Sequence, residues 1–514
     1  MSNNKKTWII GLDGASFEIL RPIMDAGKLP VLSSLLKNGA SGVLRSTVVP
    51  FTPQAWASVM TGNNPGKHGV FGFVRQTPGQ PPVFLSSKAI KGDKLWSLFS
   101  RRGLKSLVVN VPVTFPPEPL NGSMITGMMT PSKEVEFTYP PELKTRIQDT
   151  WPDYVIDITS GLNRSRDLSI MDELDAAQET RADLLLTLIK EESPDFLFAV
   201  FVGPDRIQHA FSQFVNPIST AYRSDRAEEW RERIYESYAK LDEIIGRLIA
   251  LEPDANIVFI SDHGFTVERG AFYTNDFLVS QGMLALKPSS GLMPARSIIR
   301  KLNISALKRF IPNKLIKKTI SFTKEGIDWS KTKAYASSVA QQGIYINLAG
   351  REPEGIVSRE NYEETRDEII KALNGINEPN SKNNILEAHR REDVFSGPHL
   401  ESIPDIILDF ERSGLESKDS ILGGPAVEWS DGGSRGIHHR DGVFLATGPD
   451  VRGGEFNGLV LEDIAPNILA LAGIKPPDNI DGRVRPDIFK IKGKEENNQD
   501  GVAPEEQVGN RSSK

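Results

Sequence analysis

The chain of 514 residues contains no cysteine. Disulfides and thiolate metal sites are excluded, so any bound metal must be held by histidine and carboxylates. Histidine is scarce as well: the seven are His68, His209, His263, His389, His399, His438 and His439. Positive charge is not in excess, and a net charge of -6 leaves no electrostatic footprint for nucleic acid. No apolar run approaches the length of a membrane span. The N-terminal apolar run is short and ends in Asp13, too brief for a signal peptide, and a cytoplasmic protein is expected. What is present suits a globular fold. Hydrophobic residues make up 39% and charged residues 25%, and the length suits two or three average domains or one large α/β domain with insertions.

Residues 52–68 read Thr-Pro-Gln-Ala-Trp-Ala-Ser-Val-Met-Thr-Gly-Asn-Asn-Pro-Gly-Lys-His. Thr52 is placed at a helix N-cap, Pro53 at the first helical position, and Gly62 after the last turn. A hydroxyl there faces the positive end of a helix dipole, which favours an oxyanion and receives a phosphate. Taken alone, a Thr-Pro pair before a helix is usually only a cap. Its company elsewhere in the chain gives it more weight.

Three apolar runs read as buried strands, and each ends in an acid. Residues 8–12 lead to Asp13-Gly14, residues 195–202 lead to Gly-Pro-Asp-Arg-Ile-Gln-His with Asp205 and His209 four apart, and residues 256–261 lead to Asp262-His263-Gly264. Acids at the carboxyl ends of parallel strands lie where open α/β sheets bind ligands. Helical spacing marks 17–27, 31–37, 172–192, 219–251, 361–373 and 461–471. Further strands are expected at 42–49 (an edge strand), 104–111, 345–348, 405–410 and 443–446. The Pro-rich loop 112–119 is a candidate wall for a substrate pocket. Between Lys287 and Lys324 there are ten Lys or Arg and no Asp or Glu. A solvated helical insertion is the expected meaning, and a basic amphipathic cap that meets anionic lipid or steers an anionic substrate is the sharper, less favoured one. From 491 onward the chain is polar, and a disordered tail is expected.

Asp13, Asp205, His209, Asp262, His263 and one of His438 or His439 form an oxygen and nitrogen ligand set suited to two zinc or similar ions. Two metals about 4 Å apart can clamp both the attacking and the leaving oxygen of a phosphoryl displacement. Thr52 supplies a nucleophile.

The succession Leu-Asp-Gly, Thr-Pro-Gln-Ala-Trp-Ala-Ser-Val-Met-Thr-Gly with Pro-Gly-Lys-His-Gly, Asp-Arg-Ile-Gln-His, Ser-Asp-His-Gly and Gly-Ile-His-His-Arg-Asp-Gly resembles the alkaline phosphatase superfamily, and within it the type I phosphodiesterase/nucleotide pyrophosphatase group. The resemblance implies a three-layer α/β sandwich around a mostly parallel central sheet. It divides the chain into a core at 1–264, a capping insertion at 265–393, and a second core part at 394–490. It implies one metal on Asp13, Asp262, His263 and the Thr52 oxygen, and a second on Asp205, His209 and His438, with His439 as the alternative. Zinc is expected, with manganese as a substitute. The implied reaction is hydrolysis of a small phosphate ester or nucleotide through a phospho-threonine. In nucleotide pyrophosphatase relatives the threonine precedes Phe-Pro-Asn, whereas Pro53-Gln54 follow here, and no residue is assigned to that Asn. The alternatives are a phosphomonoesterase, a phosphotransferase or mutase on the same scaffold, and a degenerate binding protein. The sulfatase branch needs a modifiable Cys or Ser, and the lack of Cys disfavours it.

Overall fold

Thr7–Leu12 (β1) is buried at all six positions, and its side chains alternate between two separate cores. Trp8, Ile10 and Leu12 point into one, Ile9 into the other. A strand with apolar residues on both faces requires helices on both sides. The computed structural model describes residues 5–75, 83–158, 168–287, 326–337, 342–430 and 435–491. β1 lies at the centre of a ten-stranded sheet. It pairs in parallel with Phe196–Phe201 (β5) on one side and Asn256–Ile260 (β6) on the other. Beyond β5 follow Ser106–Val111 (β3) and Gly122–Thr126 (β4), both parallel. Beyond β6 follow Asp441–Thr447 (β9) and Ala40–Arg45 (β2), with β9 antiparallel to both neighbours.

Ser169–Glu192, Gly203–Val215 (α2) and Ala227–Leu251 cover one face, and Thr52–Thr61 (α1) and Ile464–Leu471 cover the other. The result is the expected three-layer sandwich around a mostly parallel sheet. β2 is not the edge strand expected from the sequence: Gly454–Glu455 and Leu459–Val460 pair on its outer side. The expected long charged helix begins at Ala227, not 219, because Thr220–Arg223 forms a separate 3-10 turn.

A second module has its own apolar core, from Phe272 to Ile421. Its four-stranded sheet pairs Ile406–Asp409 with Gly343–Ile346 and Glu387–Arg390, so the inserted sheet draws on residues beyond 393. Of the basic segment 287–324 only Lys287 is described, and the tail is described only to Ile491. No described helix is long and apolar enough to cross a membrane.

Candidate active site

Parallel pairing of β1, β5 and β6 brings their carboxyl ends out side by side, and the acids come with them. The Asp13 N–H donates to the Phe201 carbonyl at 3.0 Å, continuing the β1–β5 ladder past the last strand residue. Gly14 follows with φ +69, and a Cβ there would lie 2.6 Å from the Phe265 ring and 3.0 Å from Asp205 Cα. Only glycine allows this close approach. α2 begins directly after β5, which puts Asp205 in its first turn and His209 one turn on, along the same face.

Thr52 arrives from the other face. It is the first residue of α1, the N-cap being Phe51, and its side chain makes no cap bond. The expected N-cap role is therefore corrected by one position, while Gly62 closes the helix at φ +67 as expected. The approach to α1 is strained: the β-branched Val49 has φ 64. Buried Gln54 holds that turn, its Nε2 donating to Thr47 Oγ1, Val48 O and Val49 O at 2.8, 2.7 and 2.6 Å.

His438 and His439 come on Gly436–His439 (β8), which pairs antiparallel with Gly264–Val267 (β7). Alternation along a strand sends adjacent side chains to opposite faces. His438 turns inward, its Nε2 3.5 Å from Asp205 Oδ1 and 2.9 Å from His209 Nε2. His439 turns toward Glu411 and Asp441, 3.9 Å from each.

The cluster is tight, its three acids and His263 buried and His209 and His438 partly exposed. His263 Nε2 lies 3.2 Å from Thr52 Oγ1, 3.3 Å from Asp262 Oδ2, 3.8 Å from Asp13 Oδ1 and 4.0 Å from Asp205 Oδ1. His209 Nε2 is 3.4 Å from Asp205 Oδ1. Hydrogen bonding fixes the tautomers: His263 Nδ1–H donates to Gly264 O at 3.1 Å and His438 Nδ1–H to Pro50 O at 2.7 Å. Each ring therefore turns a lone pair on Nε2 into the cluster.

Each of the three acids uses one oxygen for a neighbouring donor. Asp13 Oδ2 accepts from Trp56 Nε1 at 2.9 Å, Asp262 Oδ1 from Gly14 N at 3.1 Å, and Asp205 Oδ2 from Arg206 Nη1 at 2.6 Å. The other oxygens, Asp13 Oδ1, Asp205 Oδ1 and Asp262 Oδ2, are buried with no hydrogen-bond partner. An orphaned buried carboxylate oxygen is costly, and three aimed into one pocket suit cations. Burial, with the Asp205 charge adding, pushes the Asp13 carboxyl up to about 8. Burial and the Asp13 charge likewise hold Asp262 well above its ordinary range. Burial alone would raise Asp205 too, but His209, Arg206 and His438 hold it below the usual carboxylate range. Burial lowers His209 to about 4 and places His263 well below an ordinary histidine. Both imidazoles are thus neutral and ligand-competent near pH 7.

Two sets of possible ligand atoms lie within 4.8 Å of one another, Asp13–Asp262–His263 and Asp205–His263–His438. A third, Glu411–His439–Asp441, is occupied by Arg45, which donates to both Glu411 and Asp441. The remaining histidines stand apart. His68 Nδ1 accepts from the Val70 N–H at 3.2 Å, so its Nε2–H donates to Ser58 Oγ at 3.1 Å. Burial lowers His68 to about 3, and it ties α1 to the following turn without acting as a base.

A cavity of about 320 Å³ opens above Thr52, Asp205, His209 and His438, with walls from Phe51, Phe73 and Met128 and, from the inserted module, Phe410, Leu415 and Glu416. Residues 112–119 do not line it, contrary to expectation: the chain passes through that loop before Met128 reaches the cavity. The sequence reading also missed Gln54, Trp56, Asp157 and Arg206. Trp56 and Arg206 lie inside the motifs already singled out, and a buried acid's need for a second partner was the signal for both.

The donor set suits metal ions, and with the family that the chain matches it defines a class, a metal-dependent hydrolase acting on phosphoric esters. Residues 7–437 match the family described as type I phosphodiesterase / nucleotide pyrophosphatase, and the chain belongs to that family, within the alkaline phosphatase superfamily. No curated protein sequence matches it. Among solved structures it is similar to phosphonoacetate hydrolase from Sinorhizobium meliloti 1021 in complex with phosphonoacetate, at 16% identity and TM-score 0.57 over 91% of this chain and 96% of that one. It is also similar to murine ectonucleotide pyrophosphatase / phosphodiesterase 5, an inactive threonine-to-alanine form in complex with AMP, at 14% identity and TM-score 0.50 over 92% and 96%. At these identities the likeness establishes the fold.

Proposed function

We propose that the chain hydrolyses a phosphodiester through a covalent phospho-threonine, with two divalent cations, zinc or manganese, in the cluster. Asp13, Asp262, His263 and Thr52 would hold one, and Asp205, His209 and His438 the other. The observation that carries this is the set of three orphaned carboxylate oxygens gathered within 4.0 Å of His263 Nε2, which itself bonds Thr52 Oγ1. Bound cations neutralise the carboxylates and lower the pKa of an oxygen placed against them. Thr52 loses its hydroxyl proton to solvent, and its oxygen forms the new bond to phosphorus as the bond to the leaving alcohol breaks. The alcohol departs on the His209 and His438 side and takes a proton from water. Water then attacks the phosphothreonine phosphorus, releasing phosphate monoester and restoring the Thr52 hydroxyl. Two in-line displacements give retention at phosphorus.

Charge favours a diester over a monoester. Arginines 206, 435 and 440 border the cavity, and each is already paired: Arg206 with Asp157, Arg435 with Glu268 and Glu416, Arg440 with Asp409 and Glu411. A dianionic phosphoryl group asks for an uncommitted cation that a monoanionic diester does not need. The test is a turnover screen of nitrophenyl mono- and diesters on zinc- or manganese-loaded protein, with acid quench and mass analysis of the peptide carrying Thr52. A phosphate on Thr52 and faster diester turnover support the reading. Turnover with no phosphothreonine in the quenched protein removes the covalent step.

A further inference from the structure

We infer that Arg206, clamped by Asp157, is a positioning residue that fixes which oxygen of Asp205 faces the cation shared with His209 and His438. The inference rests on the two-cation reading above and adds a residue pair to it.

Every guanidinium nitrogen of Arg206 is committed. Nη1 donates to Asp205 Oδ2 at 2.6 Å, Nε to Asp157 Oδ1 at 3.3 Å, and Nη2 to Asp157 Oδ1 and Oδ2 at 3.0 and 2.8 Å. The two side chains of the clamp are only 8% and 11% exposed. Arg206 borders the cavity, yet its planar fork is spent on carboxylates and turns no free nitrogen toward a substrate phosphate. What it does is pin Asp205 Oδ2. The carboxylate cannot rotate, and Oδ1 stays aimed at His209 and His438, 3.4 and 3.5 Å away.

The other two acids are held by neutral donors, Trp56 Nε1 and Gly14 N; only Asp205 is held by a charge. Asp157 is itself anchored through its preceding backbone. Arg181 Nη2 donates to the carbonyls of Val155 and Ile156 at 3.3 and 3.1 Å, and Asn110 Nδ2 donates to Ile156 O at 2.7 Å. A continuous line of bonds therefore runs from the end of β3, through the 155–157 segment, to one oxygen of one metal acid. Loss of the clamp falls on the cation at Asp205 and spares the one at Asp13 and Asp262.

Calorimetric titration of the chelator-stripped full chain with Zn2+ alone tests this on wild type, Arg206→Met, Arg206→Lys and Asp157→Asn. Two sites are expected in wild type. Arg206→Met and Asp157→Asn weaken one of them by 10–100-fold and leave the other within threefold. Arg206→Lys, which can hold only one carboxylate, falls between. Asp157→Asn keeps the side-chain volume, so it tests the clamp even where Arg206→Met does not fold. A change of less than tenfold at both sites in Asp157→Asn overturns the inference. Equal weakening of both sites overturns it too, since a general loosening of the fold acts that way. Wild-type protein that takes up no zinc refutes the two-cation reading first, and the inference with it.

Discussion

Replacing Thr52 with alanine separates two roles for one hydroxyl. Were Thr52 a helix cap, its loss would cost about 1 kcal/mol of stability. The structure places Phe51 at the cap and gives the Thr52 side chain no cap bond. Its hydroxyl bonds His263 Nε2 at 3.2 Å, so alanine removes one neutral hydrogen bond, about 1 kcal/mol or less. That loss is partly offset by alanine's better helix propensity. The unfolding midpoint therefore barely moves. Turnover behaves differently, because Thr52 Oγ1 is bonded to His263 of the cluster, where the proposed reaction needs its nucleophile. Loss of a nucleophile is expected to lower kcat by three orders of magnitude or more, about 4 kcal/mol at the transition state. The assay is steady-state hydrolysis of bis(4-nitrophenyl) phosphate by metal-loaded protein, with metal content and thermal midpoint measured on the same samples. Thr52→Ser keeps an alcohol at the same reach and is expected within about 100-fold of wild type. Turnover by Thr52→Ala within tenfold of wild type refutes the nucleophile assignment. So does a loss that tracks unfolding.

Three further outcomes are expected. Saturating the chelator-stripped protein with zinc or manganese at 100 times its Kd raises stability by about 2.7 kcal/mol, read as a higher unfolding midpoint; an unchanged midpoint counts against a metal site. His438→Ala loses one metal equivalent by elemental analysis while His439→Ala keeps both, because adjacent strand positions face opposite ways; the reverse result exchanges the two assignments. Burial, with Asp463 and Asp481 adding, raises Glu462 from 4.5 to about 7, so the folded chain keeps a proton that the unfolded chain has lost between those values. Stability contributed by that protonated form falls as pH rises from 4.5 to 7, by up to about 3 kcal/mol and roughly 1–2 once its partial exposure is allowed for. Glu462→Gln flattens this slope in urea unfolding at pH 5 and pH 8, and an identical slope in both proteins contradicts the assignment.

The strands, the acids that end them and the Thr52 helix were legible from sequence because each is a local signal: a run of apolar residues, then a carboxylate, or a proline near a helix start. What no local signal carries is adjacency. Asp13, Asp205 and Asp262 meet because β1 lies between β5 and β6, Leu12 opposite Phe201 and Gly11 opposite Ile260, all running the same way. Had β6 run antiparallel to β1, Asp262 would emerge at the opposite edge, a full strand length away, with the same sequence signal. The doubled histidine was ambiguous for a similar reason. Its register is set by β7, where Phe265 opposes His438 and Gly264 opposes His439, and a slip of one residue would exchange the two faces. The cavity wall was misread in 112–119 because a proline-rich loop marks a turn, not what the turn faces. The supporting donors carry no such signal: Trp56, the Gly14 N–H and Arg206 are not metal-ligand types and hold the acids from outside. A buried carboxylate has two oxygens, so three metal acids require three outer donors as well as cations. That count, applied to the sequence, points to the tryptophan four residues past Thr52 and the arginine beside Asp205.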